Sequence, residues 1–288
     1  MLNSITPHVY WLPPDAATDR PILGAIVGEQ RTLIVDAGNS PAHANLLLGE
    51  LSKLHIAFPD YLVLTHWHWD HVFGSSAFKL PTFASKETRR IVAEMARLDW
   101  SDAALDRRVE DGLEISFCRD MIKAEMPDRS NLTITPPDIA FDSPIQLDLG
   151  VLTCYIVPVG GDHSSDASII YVEEDKIMFL GDCLYTDIYS GPPRFTTRKL
   201  FPLLDRLLSF DTDYYLAAHE SNPMSRTDMV EYAHLLKTIG CVVEKIGPDR
   251  QSVLAALQTT FSQKLNDEHV EIADAFLAGL SKSTPPAE

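Results

Sequence analysis

The sequence predicts a layered α/β protein, and three observations carry that reading. Short apolar, β-branched segments bounded by Pro, Gly and Asp are followed by a segment of helical spacing and then by another strand-like segment ending near residue 64. A second set of strand-like segments runs from 132 to 218, after a mostly helical stretch at 86–126. Of the 288 residues, 45% are apolar, which is ample for a buried core and excludes a chain disordered throughout.

The elements follow in order. HVYWL (8–12), ILGAIVG (22–28) and RTLIVD (31–36) read as strands. A helix comes next: Ser40 suits the N-cap, Pro41 the first helical position, and Leu46, Leu47, Leu51 and Leu54 supply an apolar face. Residues 60–64 form the next strand. Within 86–126, Ile91, Met95 and Leu98 recur at helical spacing, and SDAALDRRVEDGLE (101–114) opens with a helix-start signal. Strand patterning resumes at LTIT (132–135) and continues through IQLDL (145–149) and VLTCYIVPV (151–159). IIYVEEDKIMFLG (169–181) reads as a hairpin turning at Glu174 and Asp175, and DYYLAA (213–218) as a further strand. Two helices then close the chain. Ser225 and Asp228 make a capping box for the first, which Gly240 is expected to end, and Pro248 and Asp249 open the second. The tail SKSTPPAE (281–288) is expected to fray.

With 24 basic against 41 acidic residues the net charge is −17, which argues against nucleic acid or an anionic membrane as partner and leaves a small-molecule substrate. No apolar run approaches the roughly 18 residues of a membrane span, and the N-terminus lacks the basic-then-apolar order of a signal peptide. Cys118, Cys154, Cys183 and Cys241 form no Cys-x-x-Cys pair, so buried free thiols in a reducing cytoplasm are expected. In such a chain the sequon at Asn131 is coincidence. Nothing in the pattern indicates the oligomeric state.

The chemistry is concentrated in Thr65-His66-Trp67-His68-Trp69-Asp70-His71. Four metal-capable side chains fall within six residues, directly after an apolar strand, where a loop can aim them at one point. His163, Asp182 and His219 also follow apolar strands. In a layered α/β fold, strand ends along one edge line the binding crevice.

These residues resemble the metallo-β-lactamase superfamily. His66, His68, Asp70 and His71 match its His-x-His-x-Asp-His signature, His163, Asp182 and His219 match its three downstream positions, and Asp36 its early aspartate. The resemblance covers about residues 5–222. It implies a four-layer αβ/βα sandwich, a catalytic domain at 1–222 with a helical insert at about 86–140, and a helical C-terminal extension at 223–288 packed on it. It further implies that His66, His68 and His163 bind one metal ion, that Asp70, His71 and His219 bind a second, and that Asp182 bridges them. Two Zn²⁺ are expected, with iron or manganese also suited to the donors. The implied activity is hydrolysis of a small ester, lactone or thioester by a metal-bridging hydroxide. β-Lactam or phosphodiester hydrolysis, or an iron-dependent oxidation, are the alternatives.

A bridging aspartate at 182 resembles lactonases, glyoxalase II-type thioesterases, phosphodiesterases and sulfur dioxygenases rather than β-lactam hydrolases. Tyr185 stands where lactonases carry a tyrosine that holds the substrate carbonyl, so Asp70 and Tyr185 are the candidate catalytic residues. Residues 86–140 are expected to wall or cover the site, with Trp67, Trp69, Phe73 and Trp100 lining a pocket or packing in the core. Arg194, Arg198 and Lys199 either meet a substrate carboxylate or form a solvated basic face.

Overall fold

The computed structural model describes residues 1–262 and 264–280; the expected fraying of 281–288 lies outside them. Four strands, β1 (Asn3–Ser4), β2 (Val9–Leu12), β3 (Leu23–Val27) and β4 (Thr32–Val35), pair antiparallel in sequence order. α1 (Pro41–Lys53) then crosses to β5 (Tyr61–Val63), parallel to β4. The Ser40 hydroxyl caps α1 by accepting from the His43 amide at 3.0 Å, and Pro41 loses nothing at a position whose amide has no helical partner. Through α2 (Trp69–Val72) and α3 (Ser75–Phe78) the chain reaches β6 (Thr82–Ser85). Through α4 (Lys86–Met95), α5 (Asp102–Glu110) and α6 (Ser116–Glu125) it reaches β7 (Ile139–Phe141). β5, β6 and β7 pair parallel, so the helical stretch is the long crossover that parallel neighbours need.

The second sheet holds β8 (Ile145–Asp148), β9 (Thr153–Pro158), β10 (Ser168–Val172), β11 (Ile177–Gly181), β12 (Tyr214–Ala217) and β13 (Met224–Ser225), in the order β13-β12-β11-β10-β9-β8. β8 to β11 pair antiparallel, with β10 and β11 as the expected hairpin, and β12 joins parallel to β11. β4, β10 and β11 are buried at every residue, whereas the edge strand β8 alternates between half-buried and exposed. Val9, Ile26, Leu33 and Val63 of the first sheet share one core with Ile156, Ile170, Phe179 and Leu216 of the second. Two mixed sheets with flanking helices make the αβ/βα sandwich expected.

The chain divides into two compact units. The first comprises Met1–Val159, Asp166–Asp182 and Thr212–Met224, and holds the core between the sheets. The second comprises Gly160–Ser165, Cys183–Asp211 and the described residues from Ser225 onward, and carries α7 (Thr197–Leu208), α8 (Arg226–Ile246), α9 (Arg250–Phe261) and α10 (Asp267–Leu280).

Four local expectations are corrected. LTIT (132–135) forms no strand; Pro136 and Pro137 follow it, and neither can donate to a ladder. α8 has its expected capping box but runs through Gly240 to Ile246. A Cβ at Gly240 would sit 2.8 Å from Phe201 Cζ and 3.0 Å from Phe276 Cζ, so this glycine makes room for two rings. Gly247, at φ 87°, is the residue that ends the helix, and α10 follows α9 as a third C-terminal helix. Cys118, Cys154 and Cys183 are buried, but Cys241 is exposed, one step of about 100° round α8 from the inward-facing Gly240. Among the described residues no helix is long and apolar enough to cross a membrane.

Candidate metal centre

The residues that follow β4, β5, β11 and β12 converge in the first unit. Asp36 follows β4 in a left-handed conformation (φ 62°), uncommon for a residue with a side chain and a form of backbone strain found at functional sites. Thr65 follows β5 and donates to Asp36 twice, from its amide at 2.7 Å and its hydroxyl at 2.9 Å. Gly181 ends β11 at φ 52°, and a Cβ there would lie 2.7 Å from Thr65 Oγ1. Only glycine lets the chain pass so close to Thr65 and deliver Asp182.

The histidines are oriented by what their Nδ1 atoms touch. His71 Nδ1 lies 2.8 Å from Asp36 Oδ2, so it donates to the carboxylate. The Thr65 hydroxyl spends its proton on Asp36, so the His66 Nδ1 contact at 3.1 Å has histidine as donor. With Nδ1 engaged in this way, Nε2 is the nitrogen that each ring turns toward the donor nest and has free to bind a metal ion. His163, in the second unit, is oriented in the same way: its Nδ1 donates to the Thr186 carbonyl at 3.0 Å.

The Nε2 side is a tight nest of donors. His71 Nε2 lies 3.1 Å from Asp70 Oδ2 and 3.4 Å from Asp182 Oδ2. His219 Nε2 lies 3.3 Å from Asp70 Oδ2 and 3.5 Å from Asp182 Oδ2. Asp70, His71, Asp182 and His219 each offer an atom within 4.8 Å of the others; His66, His68 and Asp182 form a second such set. Ligands about 2.1 Å from a tetrahedral ion sit about 3.4 Å apart, so the donor set fits a divalent cation.

Charge supports the same fit. His66, His68, Asp70, His71 and Asp182 are all buried. Burial alone would raise the Asp70 pKa, but His71 and His219 outweigh it and hold the carboxyl below the usual carboxylate range. Burial opposes a charge on His71, yet Asp70, Asp36 and Asp182 raise its pKa well above the ordinary histidine value. His219 is pushed up to about 11 by Asp182 and Asp70, again against burial. Clustered buried carboxylates call for positive charge, and metal ions supply it without protonating the ligands.

Other expected residues fall elsewhere. Trp69 and Phe73 are buried in the core, 5.8 Å apart between ring centroids, with Trp100 edge-on to Phe73 at 4.7 Å. Trp67 is half-buried against His68. Arg194 is ion-paired to Asp187, while Arg198 and Lys199 lie on the first turn of α7 and are both exposed. Tyr185 is half-buried in the second unit, its ring centroid 6.2 Å from that of His163.

Two residues near the centre carry no sequence motif. Asp19, on a turn at φ 57°, places Oδ1 3.6 Å from His219 Nδ1. Burial and the Asp70 charge raise its pKa to about 7. His43 on α1 is fully buried. Among the described residues neither of its ring nitrogens has a hydrogen-bond partner, and burial and Arg20 lower its pKa to about 3. Both positions become visible only once the loop before β3 and the first turn of α1 are folded.

The sequence profile of the metallo-beta-lactamase superfamily matches residues 24–219. No protein of curated function matches the chain. Among solved structures, a metallo-beta-lactamase from Pontibacter korlensis is similar at 16% identity and TM-score 0.57, over 82% of this chain and 98% of its own. A metallo-beta-lactamase family protein from Thermus thermophilus is similar at 17% identity and TM-score 0.58, over 94% and 92%. A stereoselective inverting sec-alkylsulfatase from a Pseudomonas species gives 14% identity and TM-score 0.63 over 100% of this chain, which spans 52% of that enzyme. At these identities the likeness is one of fold. The profile match spans most of the chain and includes every strand end of the donor nest, so this chain belongs to the metallo-beta-lactamase superfamily, whose members are metal-dependent hydrolases.

Proposed function

We propose that this chain is a dinuclear zinc hydrolase of small carbonyl substrates: esters, lactones or thioesters. The observation that carries the reading is the position of Asp182. Its Oδ2 lies 3.4 Å from His71 Nε2, 3.5 Å from His219 Nε2 and 3.8 Å from His66 Nε2. A carboxylate within reach of both histidine sets suits a bridge between two cations. In this reading His66, His68 and His163 hold one ion, Asp70, His71 and His219 hold the other, and Asp182 holds both. The two buried sites, rich in imidazole and carboxylate, favour zinc, while iron or manganese would use the same donors.

Bound divalent cations supply an acidic water and a positive field for the developing oxyanion. The chain's own groups do the rest. Asp36 and Thr65 fix the rings of His71 and His66, so the donors need no rearrangement during turnover. Asp70 orients the attacking water and carries a proton toward the leaving group. The Tyr185 phenol donates to the oxyanion. Net charge of −17 supports a small substrate over a polyanionic one. Three buried thiols without a Cys-x-x-Cys pair suit a cytoplasmic location.

Elemental analysis of the purified protein, with a panel of ester, lactone, thioester, nitrocefin, phosphodiester and secondary alkyl sulfate substrates, tests the proposal. Two metal ions per chain and fastest turnover of a carbonyl ester, lactone or thioester are expected. A single ion, or turnover confined to nitrocefin, phosphodiester or sulfate, would overturn it.

A further inference from the structure

The second unit contains a half-open cavity of about 480 Å³ that the donor nest does not account for. Its volume lies within the roughly 300–1,000 Å³ of small-molecule sites. One wall is the segment after Cys183, with Tyr185, Thr186, Pro193 and Phe195; the other is Tyr232 of α8 and Ile272 of α10. The cavity therefore begins beside His163, whose Nδ1 donates to the carbonyl of Thr186 and whose ring faces Tyr185.

The charge of this lining is one-sided. Among the described residues no lysine, arginine or histidine lines the cavity, but Glu271 and Asp274 do. Asp274 is neutralised by Arg250, with Nε to Oδ1 at 2.6 Å and a second bond at 2.9 Å. Glu271 is exposed and has no hydrogen bond or ion pair among the described residues. An apolar wall with one uncompensated carboxylate favours an uncharged group and repels an anion.

We propose that this cavity takes the uncharged aliphatic or aromatic acyl group of the substrate, and that Glu271 excludes acyl groups ending in a carboxylate. The inference rests on the hydrolase reading above and narrows it: anionic acyl donors are disfavoured.

The test compares p-nitrophenyl acetate, hexanoate and the adipate monoester, which has hexanoyl length but ends in a carboxylate, on the zinc-loaded full chain. kcat/KM should rise at least about tenfold from acetate to hexanoate, since each methylene in an apolar pocket is worth about 10-fold or more. The adipate monoester should fall about tenfold or more below hexanoate. Glu271→Lys should recover most of that loss and Glu271→Gln part of it; Glu271 is exposed, so neither change disturbs folding. Equal kcat/KM for hexanoate and adipate in both wild type and Glu271→Lys would overturn the cavity assignment while leaving the hydrolase reading intact. Absence of all ester turnover would instead count against the hydrolase reading. The cavity is then read by calorimetry with 2-octanone and 7-oxooctanoate: binding of the neutral ketone alone upholds it, and equal binding or none overturns it.

Discussion

Nδ1 of His71 lies 2.8 Å from Oδ2 of Asp36, and both residues are buried. That one contact joins the turn after β4 to the helix α2, and it sets which nitrogen of His71 faces the donor nest. Asp36 reaches His71 from a left-handed backbone, and the two Thr65 hydrogen bonds hold it there.

Asp36→Asn keeps the volume and removes the charge. Metal affinity should fall about 10–100-fold, the usual effect of losing a carboxylate behind a histidine ligand. Competition with a chromophoric chelator measures it. Affinity unchanged from wild type would reduce Asp36 to a turn residue.

Acid should destabilise the metal-free protein through His43. Its folded pKa is lowered to about 3 by burial and Arg20, while in the unfolded chain it returns to the ordinary value near 6.5. Between those values the unfolded state binds the extra proton, so stability is flat above about pH 6.5 and falls as pH drops toward 3. From pH 7 to pH 5 the loss from this group is about 2 kcal/mol. Urea unfolding of metal-free wild type and His43→Leu at both pH values reads the difference. If the two proteins lose equal stability, His43 is not the buried neutral group described.

Tyr185→Phe should lower kcat and kcat/KM together by about tenfold, or about 1.4 kcal/mol, with KM little changed. Metal content should stay at the wild-type value, which separates oxyanion donation from ligation. Wild-type rates on ester, lactone and thioester would assign Tyr185 to packing beside His163.

The donor nest was legible in the sequence because each member sits directly after an apolar strand, and strand periodicity is a local signal. Strand ends pointed His66, Asp182 and His219 to sheet edges, and the resemblance to the metallo-β-lactamase superfamily implied that they join Asp70 and His71 in one site. Asp19 and His43 were invisible because their meaning comes from burial by distant segments. Glu125 is of the same kind. At the end of α6 it accepts from Thr18 at 2.6 Å, from Arg20 at 2.8 Å and from Ser40, tying the helical crossover to the N-cap of α1. Gly240 was misread because a glycine that admits two rings looks, in sequence, like one that ends a helix. The stretch 86–140, read as an insert, supplies β7 and the connection to it, so its removal would cost the first sheet an edge strand.

The central claim is that Asp182 bridges two metal ions. Zinc titrated into chelated wild type and Asp182→Asn, while following ester hydrolysis and bound metal together, tests it most directly. An amide cannot serve two cations as a carboxylate does. Wild type should regain full turnover only at two equivalents. Asp182→Asn should hold one ion tightly, bind the second at least about tenfold more weakly, and recover little activity. Full wild-type activity at one equivalent, or two tight ions and full turnover in Asp182→Asn, would contradict the claim.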